Sequence, residues 1–387
     1  MRRRRQLGVT HAAAPRPPAV VFDLNKTGCA VVRCLGRAGI AVTGVHAVPY
    51  PALGARSRYV TDPVVMPDAT ADELLAAFAA LGGRLGHKAV VLCATDQAVD
   101  FCSRHRTILA THFHLPGARA ATLHDLLDKD TQSALAERAG LRVPATVVAR
   151  RGQQVDAARL DSIGLPAIVK PANSLFGYKR LMGVERTRAA LEARIARTLE
   201  QCPAVVVSRY VEGGASANYT VMALGCRDGT TLVCAVTRKV RQTPSPAFGA
   251  GTLVETCRDD ELEALTAAFV RTAGFTGPIE LEFKRENGDG PAWFVEANLR
   301  CSALVGMTPA AGANLPLHAY LDALELPAPA RSRPDAPVVW VDELRDGHAC
   351  AEQGIPREEM LRQYDRVTML SLHADDDPAP FAAAVAS

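Results

Sequence analysis

Acidic side chains alternating along two adjacent β segments can form a cation site, and residues 278–300 carry that pattern. The stretch opens Pro278-Ile279-Glu280-Leu281-Glu282-Phe283-Lys284 and closes Phe294-Val295-Glu296-Ala297-Asn298-Leu299-Arg300. Between them lies Asn287-Gly288-Asp289-Gly290, a turn sequence, so the whole reads as a β-hairpin. Period-two alternation predicts Ile279, Leu281 and Phe283 on the core face with Trp293, Val295, Ala297 and Leu299. Glu280, Glu282, Glu296, Asn298 and Arg300 share the opposite face. Closure about position 289 sets Glu282 opposite Glu296 and Glu280 opposite Asn298. Opposed carboxylates repel and cost stability, which a bound cation offsets. Glu282, Glu296 and Asn298 offer only oxygen donors, which suit Mg²⁺ sharing its shell with phosphates and water, with Mn²⁺ as the other ion admitted. A solvent-facing charged hairpin is the plain alternative.

Lys170 ends the apolar run Ala167-Ile168-Val169. A lysine closing a buried strand is costly unless an anion meets it, and a polyphosphate is such an anion; the alternative is a side chain reaching out to solvent. His112 and His114 form a lone His-x-His without a neighbouring carboxylate or cysteine, too little for zinc. The ten cysteines contain no Cys-x-x-Cys pair and read as reduced thiols of a cytoplasmic protein. No nucleophile elbow or catalytic triad stands out.

These residues need elements to hold them. Strands at Val20–Phe22, Ile40–Val45 and Ala89–Cys93 alternate with a helix over Thr27–Ala38, which predicts a parallel α/β layer. The first strand-to-helix turn, Asp23 to Gly28, lacks Gly-x-Gly-x-x-Gly, so dinucleotide binding is not supported. A helix is predicted over Asp125–Ala139, ending at Gly140, and another over Thr187–Leu199. Strands are predicted at Ala204–Val211, Tyr219–Leu224 and Thr231–Thr237. Pro327–Pro337 reads as a linker, and the residues after Val338 as a short tail. The net charge of +3 becomes −2 once Arg2, Arg3, Arg4, Arg5 and Arg16, which precede the first strand, are set aside. A basic body for nucleic acid is therefore not indicated. Residues 1–18 read as a disordered basic and proline-rich start, and no apolar run is long enough for a membrane span.

Glu282-Phe283 followed by Glu296-Ala297-Asn298-Leu299-Arg300 resembles the metal-binding signature of ATP-grasp enzymes, and the resemblance runs from about Val20 to Leu326. It is closest to the carboxylate–amine ligase branch, which includes D-aspartate ligase-like proteins. The phrases that carry this are Asn25-Lys26-Thr27-Gly28, Arg56-Ser57-Arg58-Tyr59, Ala94-Thr95-Asp96, Lys129-Asp130, the run Gly277 to Lys284, and the run Ala311 to Pro316. The resemblance implies a three-lobed α/β and α+β fold, with ATP held between two α+β lobes. Its lobes are an amino-terminal parallel α/β domain over 19–120, a lid subdomain over 121–215 and a carboxy-terminal subdomain over 216–330. Residues 331–387 follow as linker and tail.

Residue by residue, the resemblance implies that Glu282, Glu296 and Asn298 hold Mg²⁺ against the ATP phosphates. Lys129 and Lys170 match lysines that contact adenine and phosphate, although Lys129 beside Asp130 also reads as a helix-surface pair. Asn173–Gly183 takes the place of a mobile glycine-rich loop, but its only glycines are Gly177 and Gly183. There Ser174, Lys179 and the backbone amides would cover the phosphates. Val207-Ser208-Arg209-Tyr210-Val211 matches the hinge strand whose backbone reads adenine, with Ser208 where the family often has Glu or Gln. Arg238-Lys239-Val240-Arg241-Gln242 gathers three cations for a substrate carboxylate or a transferring phosphoryl group. Arg241 is the preferred phosphate contact and Arg300 the second; a solvated basic strand end is the rival.

The implied activity is ATP-dependent joining of a carboxylate to an amine through an acyl phosphate, releasing ADP and phosphate. Its small-molecule substrates would be amino acids or peptides from biosynthesis, with no nucleic-acid or membrane partner and a homodimer left open. Carboxylation or ligation to a carrier-protein thiol would use the same hairpin. A nucleotide-binding protein without turnover is a further alternative.

Overall fold

Uninterrupted apolar runs suit strands buried on both faces, and two inner strands of the first sheet, Ala19–Phe22 and Ala89–Cys93, are such runs. The computed structural model describes residues 16–117, 123, 126–153, 155–172 and 181–386. β1 (Ala19–Phe22), β2 (Val42–His46), β3 (Val64–Val65), β4 (Ala89–Cys93) and β5 (Phe113–His114) form a parallel sheet in the order β3-β2-β1-β4-β5. Strand order reverses between β1 and β4, which opens a crevice beyond their carboxyl ends. Each of these strands runs there into a capped helix. Asn25 accepts from the Gly28 amide to start the helix Lys26–Gly36, and Thr95 accepts from the Ala98 amide to start Asp96–Arg104. A Cβ on Gly28 would stand 2.0 Å from the Asp23 carbonyl oxygen, so only glycine permits this turn.

β6 (Thr146–Arg150), β7 (Ala167–Pro171), β8 (Gly183–Glu185) and β9 (Ala204–Arg209) form an antiparallel sheet, ordered β6-β9-β7-β8. Leu160, Ile163, Leu191 and Ile195 of two helices pack on Val169 and Val207. The third sheet has seven strands in the order β14-β13-β10-β11-β12-β15-β16. These are β10 (Asn218–Gly225), β11 (Thr231–Pro244), β12 (Gly249–Cys257), β13 (Gly277–Arg285), β14 (Ala292–Asn298), β15 (Val339–Val341) and β16 (Met369–Leu370). Phe269, Phe283 and Phe294 form part of one core, and Met222 and Leu224 join Val21 of the first sheet and Val31 of the helix Lys26–Gly36 in another.

The hairpin keeps the expected register where it matters, with Glu282 paired to Glu296 and Glu280 to Asn298. Nearer the turn it departs. A bulge between Glu282 and Phe283 leaves Val295 as an extra residue and pairs Phe283 with Phe294. Phe294 (2% exposed) and Ala292 thus enter the core, while Trp293 and Val295 leave the face that alternation gave them. The helix expected from Asp125 is the described helix Lys129–Arg138, because the Asp128 side chain caps it. β11 runs on to Pro244, beyond the Thr237 limit read from sequence.

The residues after Val338 are not a loose tail. β15 pairs with β12, Lys26 lies 2.6 Å from Asp342, and Arg33 Nε donates to Asp377 at 2.9 Å. Among the described residues, no helix is long and apolar enough to cross a membrane.

Candidate active site

Glu282 and Glu296 face one another across β13 and β14, and each is met by a lysine from another element. Lys129 Nζ lies 3.1 Å from Glu296, and Lys239 Nζ lies 3.3 Å from Glu282. Lys129 is the first residue of its helix, and its amide donates to the Ala172 carbonyl at 3.0 Å. That bond ties the helix to the end of β7 and hence to Lys170. Lys170 is buried, and burial pushes its ammonium pKa down, partly offset by the charge of Glu296. No salt bridge reaches Lys170 among the described residues.

Next along the hairpin, Asn298 Nδ2 donates to Glu280 at 3.1 Å. Burial first, then the charge of Glu282, push the Glu280 carboxyl up. Arg300 Nε donates to Asp96 at 2.9 Å, so the crevice of the first sheet meets the polar end of the third.

Two connected hollows run past these side chains. One is a slot of about 100 Å³ between the second and third sheets, walled by Val143, Ile168, Val206, Phe248, Phe294 and Val295. Ser208, Arg209, Tyr210 and Val211 run along its edge. The other is a cleft of about 340 Å³ reaching Asn25, Thr27 and Asp96. Lys129, Lys170, Lys239, Glu282 and Glu296 line both. An apolar slot leading to lysines and then to carboxylates matches a flat heterocycle, its phosphates and a hard cation.

The slot's edge is braced. Thr146 Oγ1 donates to the Pro144 carbonyl at 2.7 Å and lies 2.9 Å from Ser208 Oγ. With the threonine proton engaged, Ser208 donates to Thr146 and keeps its acceptor lone pairs. Arg209 pairs with Glu286 at 2.9 Å and stacks 4.4 Å from the Trp293 ring. Lys284 Nζ donates to Tyr210 Oη at 2.7 Å.

The donors fit Mg²⁺ rather than zinc. Among the described residues, no three His, Cys, Asp or Glu side chains gather as a metal group, and His112 and His114 acquire no third ligand. Glu282, Glu296 and Asn298 carry oxygen donors only, the type that Mg²⁺ takes together with phosphates and water.

Arg241 does not join this group. It is 1% exposed, with Nε and Nη2 donating to the two oxygens of Asp346 at 2.8 and 2.7 Å. The cause is local. The β11–β12 register skips Val240, which turns Arg241 out of the row that Lys239 occupies. Of the three cations that the sequence gathers in this stretch, Lys239 and not the preferred Arg241 lines the site. Its signal was alternation with Thr237 and Ala235, both also buried. Arg300 does reach the cleft, as do Asn298, Glu282 and Glu296. Ser174 and Lys179 lie outside the described residues.

No protein-family model matches the sequence, and no curated protein matches it significantly. Solved structures do resemble it. An N5-carboxyaminoimidazole ribonucleotide synthetase in its ADP complex aligns with TM-score 0.67 and 16% identity, covering 85% of this chain and 82% of that one. The L-amino acid ligase of Bacillus licheniformis aligns with TM-score 0.59 and 15% identity, over 81% and 75% of the two chains. A biotin carboxylase–nucleotide complex from Campylobacter jejuni gives TM-score 0.65 and 14% identity, over 83% and 74%. Likeness at these identities shows the fold.

Proposed function

The chain has the ATP-grasp fold, and we propose that it is an ATP-dependent ligase that activates a carboxylate as an acyl phosphate and passes it to an amine. One observation carries the reading. Glu282 and Glu296 oppose each other beside Lys129, Lys170 and Lys239, where an apolar slot opens into a polar cleft. Placement in the carboxylate–amine branch is supported by the sequence phrases that resemble it.

In this reading the slot takes adenine, with Ser208 Oγ as an acceptor for its amino group. Lys129, Lys170 and Lys239 neutralise the phosphates. Glu282, Glu296 and Asn298 would hold Mg²⁺, which when bound adds positive charge at the phosphate oxygens. Arg300 binds the substrate carboxylate in the cleft. One carboxylate oxygen attacks the γ-phosphorus and ADP departs. The amine then attacks the acyl carbon, phosphate leaves and the amine gives up its proton. Such transfer asks mainly for positioning and charge neutralisation, which these side chains supply.

Carboxylation is the second reading, since two of the structures above are a carboxyaminoimidazole synthetase and a biotin carboxylase. ADP release is measured at saturating Mg²⁺-ATP with panels of acids and amines, and separately with bicarbonate. Wild type is expected to need an acid and an amine together, and Glu296→Gln to lose roughly 100-fold or more of that rate. Undiminished turnover by Glu296→Gln refutes the proposal; release driven by bicarbonate without an acid selects the second reading.

A further inference from the structure

Asp96 sits at the switch point of the first sheet, as the first residue of the helix Asp96–Arg104. One of its oxygens, Oδ1, accepts from Arg300 Nε at 2.9 Å. Among the described residues the other, Oδ2, takes no hydrogen bond, and Asp96 lines the cleft. Arg300 is likewise only partly used. Its Nη1 donates to the Cys301 carbonyl at 3.2 Å and its Nη2 to Asn298 Oδ1 at 3.4 Å. Two of the five guanidinium N–H groups are left over. The cleft therefore presents a bare anionic acceptor beside cationic donors, backed by the polar side chains of Asn25 and Thr27.

We infer that Asp96 binds a protonated amine on the acid substrate, so that the cleft selects α-amino acids over simple carboxylic acids. The inference rests on the ligase reading and refines it. Asp96 Oδ1 and Arg300 Nε are hydrogen-bond neighbours, as are the ammonium and carboxylate of an α-amino acid. A zwitterionic head can therefore lay its ammonium on Asp96 and its carboxylate on Arg300. A simple acid draws on Arg300 while bringing no donor to the second aspartate oxygen, in a cleft that already holds Glu280, Glu282 and Glu296, and recognition built on a charged hydrogen bond rejects a ligand that lacks the donor.

The test uses hydroxylamine as a small amine acceptor and reads both ADP and hydroxamate. Alanine is compared with propionate, and aspartate with succinate, on wild type and Asp96→Asn. Asparagine keeps an acceptor for Arg300 Nε and removes the charge. Wild type is expected to favour the amino acid in kcat/KM by at least about tenfold. Asp96→Asn should lower kcat/KM for the amino acid by roughly 10- to 100-fold and bring the ratio within each matched pair close to one. An ATP-induced rise in melting midpoint reports that the variant is folded. Equal use of the matched acids by wild type overturns the assignment of Asp96, as does a ratio unchanged in Asp96→Asn. In either case, acid-dependent ADP release leaves the ligase reading standing. No release with any acid overturns both.

Discussion

Replacing Arg241 by methionine tests where that arginine acts. Its side chain is 1% exposed and that of Asp346 is 0% exposed, and they share two hydrogen bonds. The single change strands a buried carboxylate that keeps, among the described residues, the Tyr364 hydroxyl at 2.9 Å, the weak Cys350 thiol and the neighbouring Thr252 hydroxyl. Breaking a buried pair in this way costs about 3–5 kcal/mol. At about 2–4 °C per kcal/mol for a lobe near 200 residues, the midpoint falls by about 10 °C. Arg241→Met/Asp346→Leu removes both charges, and apolar replacement of a buried pair is often neutral or stabilising, so most of the loss should return. Thermal melting by circular dichroism measures the first effect, and ADP release well below each variant's midpoint measures the second. An arginine that touched the phosphoryl group would leave the double variant stable but slower by roughly 10²–10³-fold. A structural arginine leaves it stable and active. A stable, inactive double variant refutes the structural reasoning. Acid adds a second readout. Burial pushes the Asp346 carboxyl up, but its interactions with Arg241, Thr252 and Tyr364 outweigh burial and hold it below the usual range. Its contribution is therefore complete above the unfolded value of about 3.9 and is lost as pH falls through the lower folded one. The double variant should lack that acid-side slope.

The bulge in the hairpin makes a prediction opposite to simple alternation. Phe294→Ala removes a ring packed 5.4 Å from Phe269 and should cost about 3–5 kcal/mol in urea denaturation. Trp293→Ala loses mainly the stacking on Arg209, about 1 kcal/mol; the reverse ranking would count against the bulge. Glu280 supplies a pH test on the ligand-free protein. Its folded pKa is raised by burial and Glu282, so this group's effect is to reduce stability as pH rises from about 4.3 toward neutrality. Glu280→Gln should flatten the melting midpoint over that range, and an unchanged slope would contradict the buried placement.

Sequence pattern reached far into this fold where the signal is local. Ala167–Pro171 reads as a strand ending in lysine because β-branched residues precede a charge and a proline, and β7 has those bounds. The Glu282–Glu296 and Glu280–Asn298 pairs were legible because a turn sequence fixes the middle of the hairpin and charge marks one face. What escaped was decided by partners far along the chain. Val295 is skipped so that Phe294 can pack on Phe269 and Phe283, contacts that alternation does not encode. Arg241 turns toward Asp346, 105 residues away, in a segment whose short strand joins the sheet by pairing with β12. Asp96 was visible only as part of a short phrase, since its pairing with Arg300 spans 204 residues.

The ion pairs around the hairpin come from separate parts of the chain. Lys129 belongs to a helix tied to the second sheet, Lys239 to β11, and Asp96 to the first sheet. Stability does not account for them. Partly buried pairs lose in desolvation much of what they gain in attraction, and the lobes already share an apolar core in which Val21 and Val31 join Met222 and Leu224. Opposed carboxylates add a further cost. A chain selected only to fold would favour apolar or uncharged polar residues at these positions. These charges instead lie where the sheets meet, with lysines on two carboxylates and one aspartate oxygen without a hydrogen bond among the described residues, an arrangement whose partners can exchange with a charged ligand.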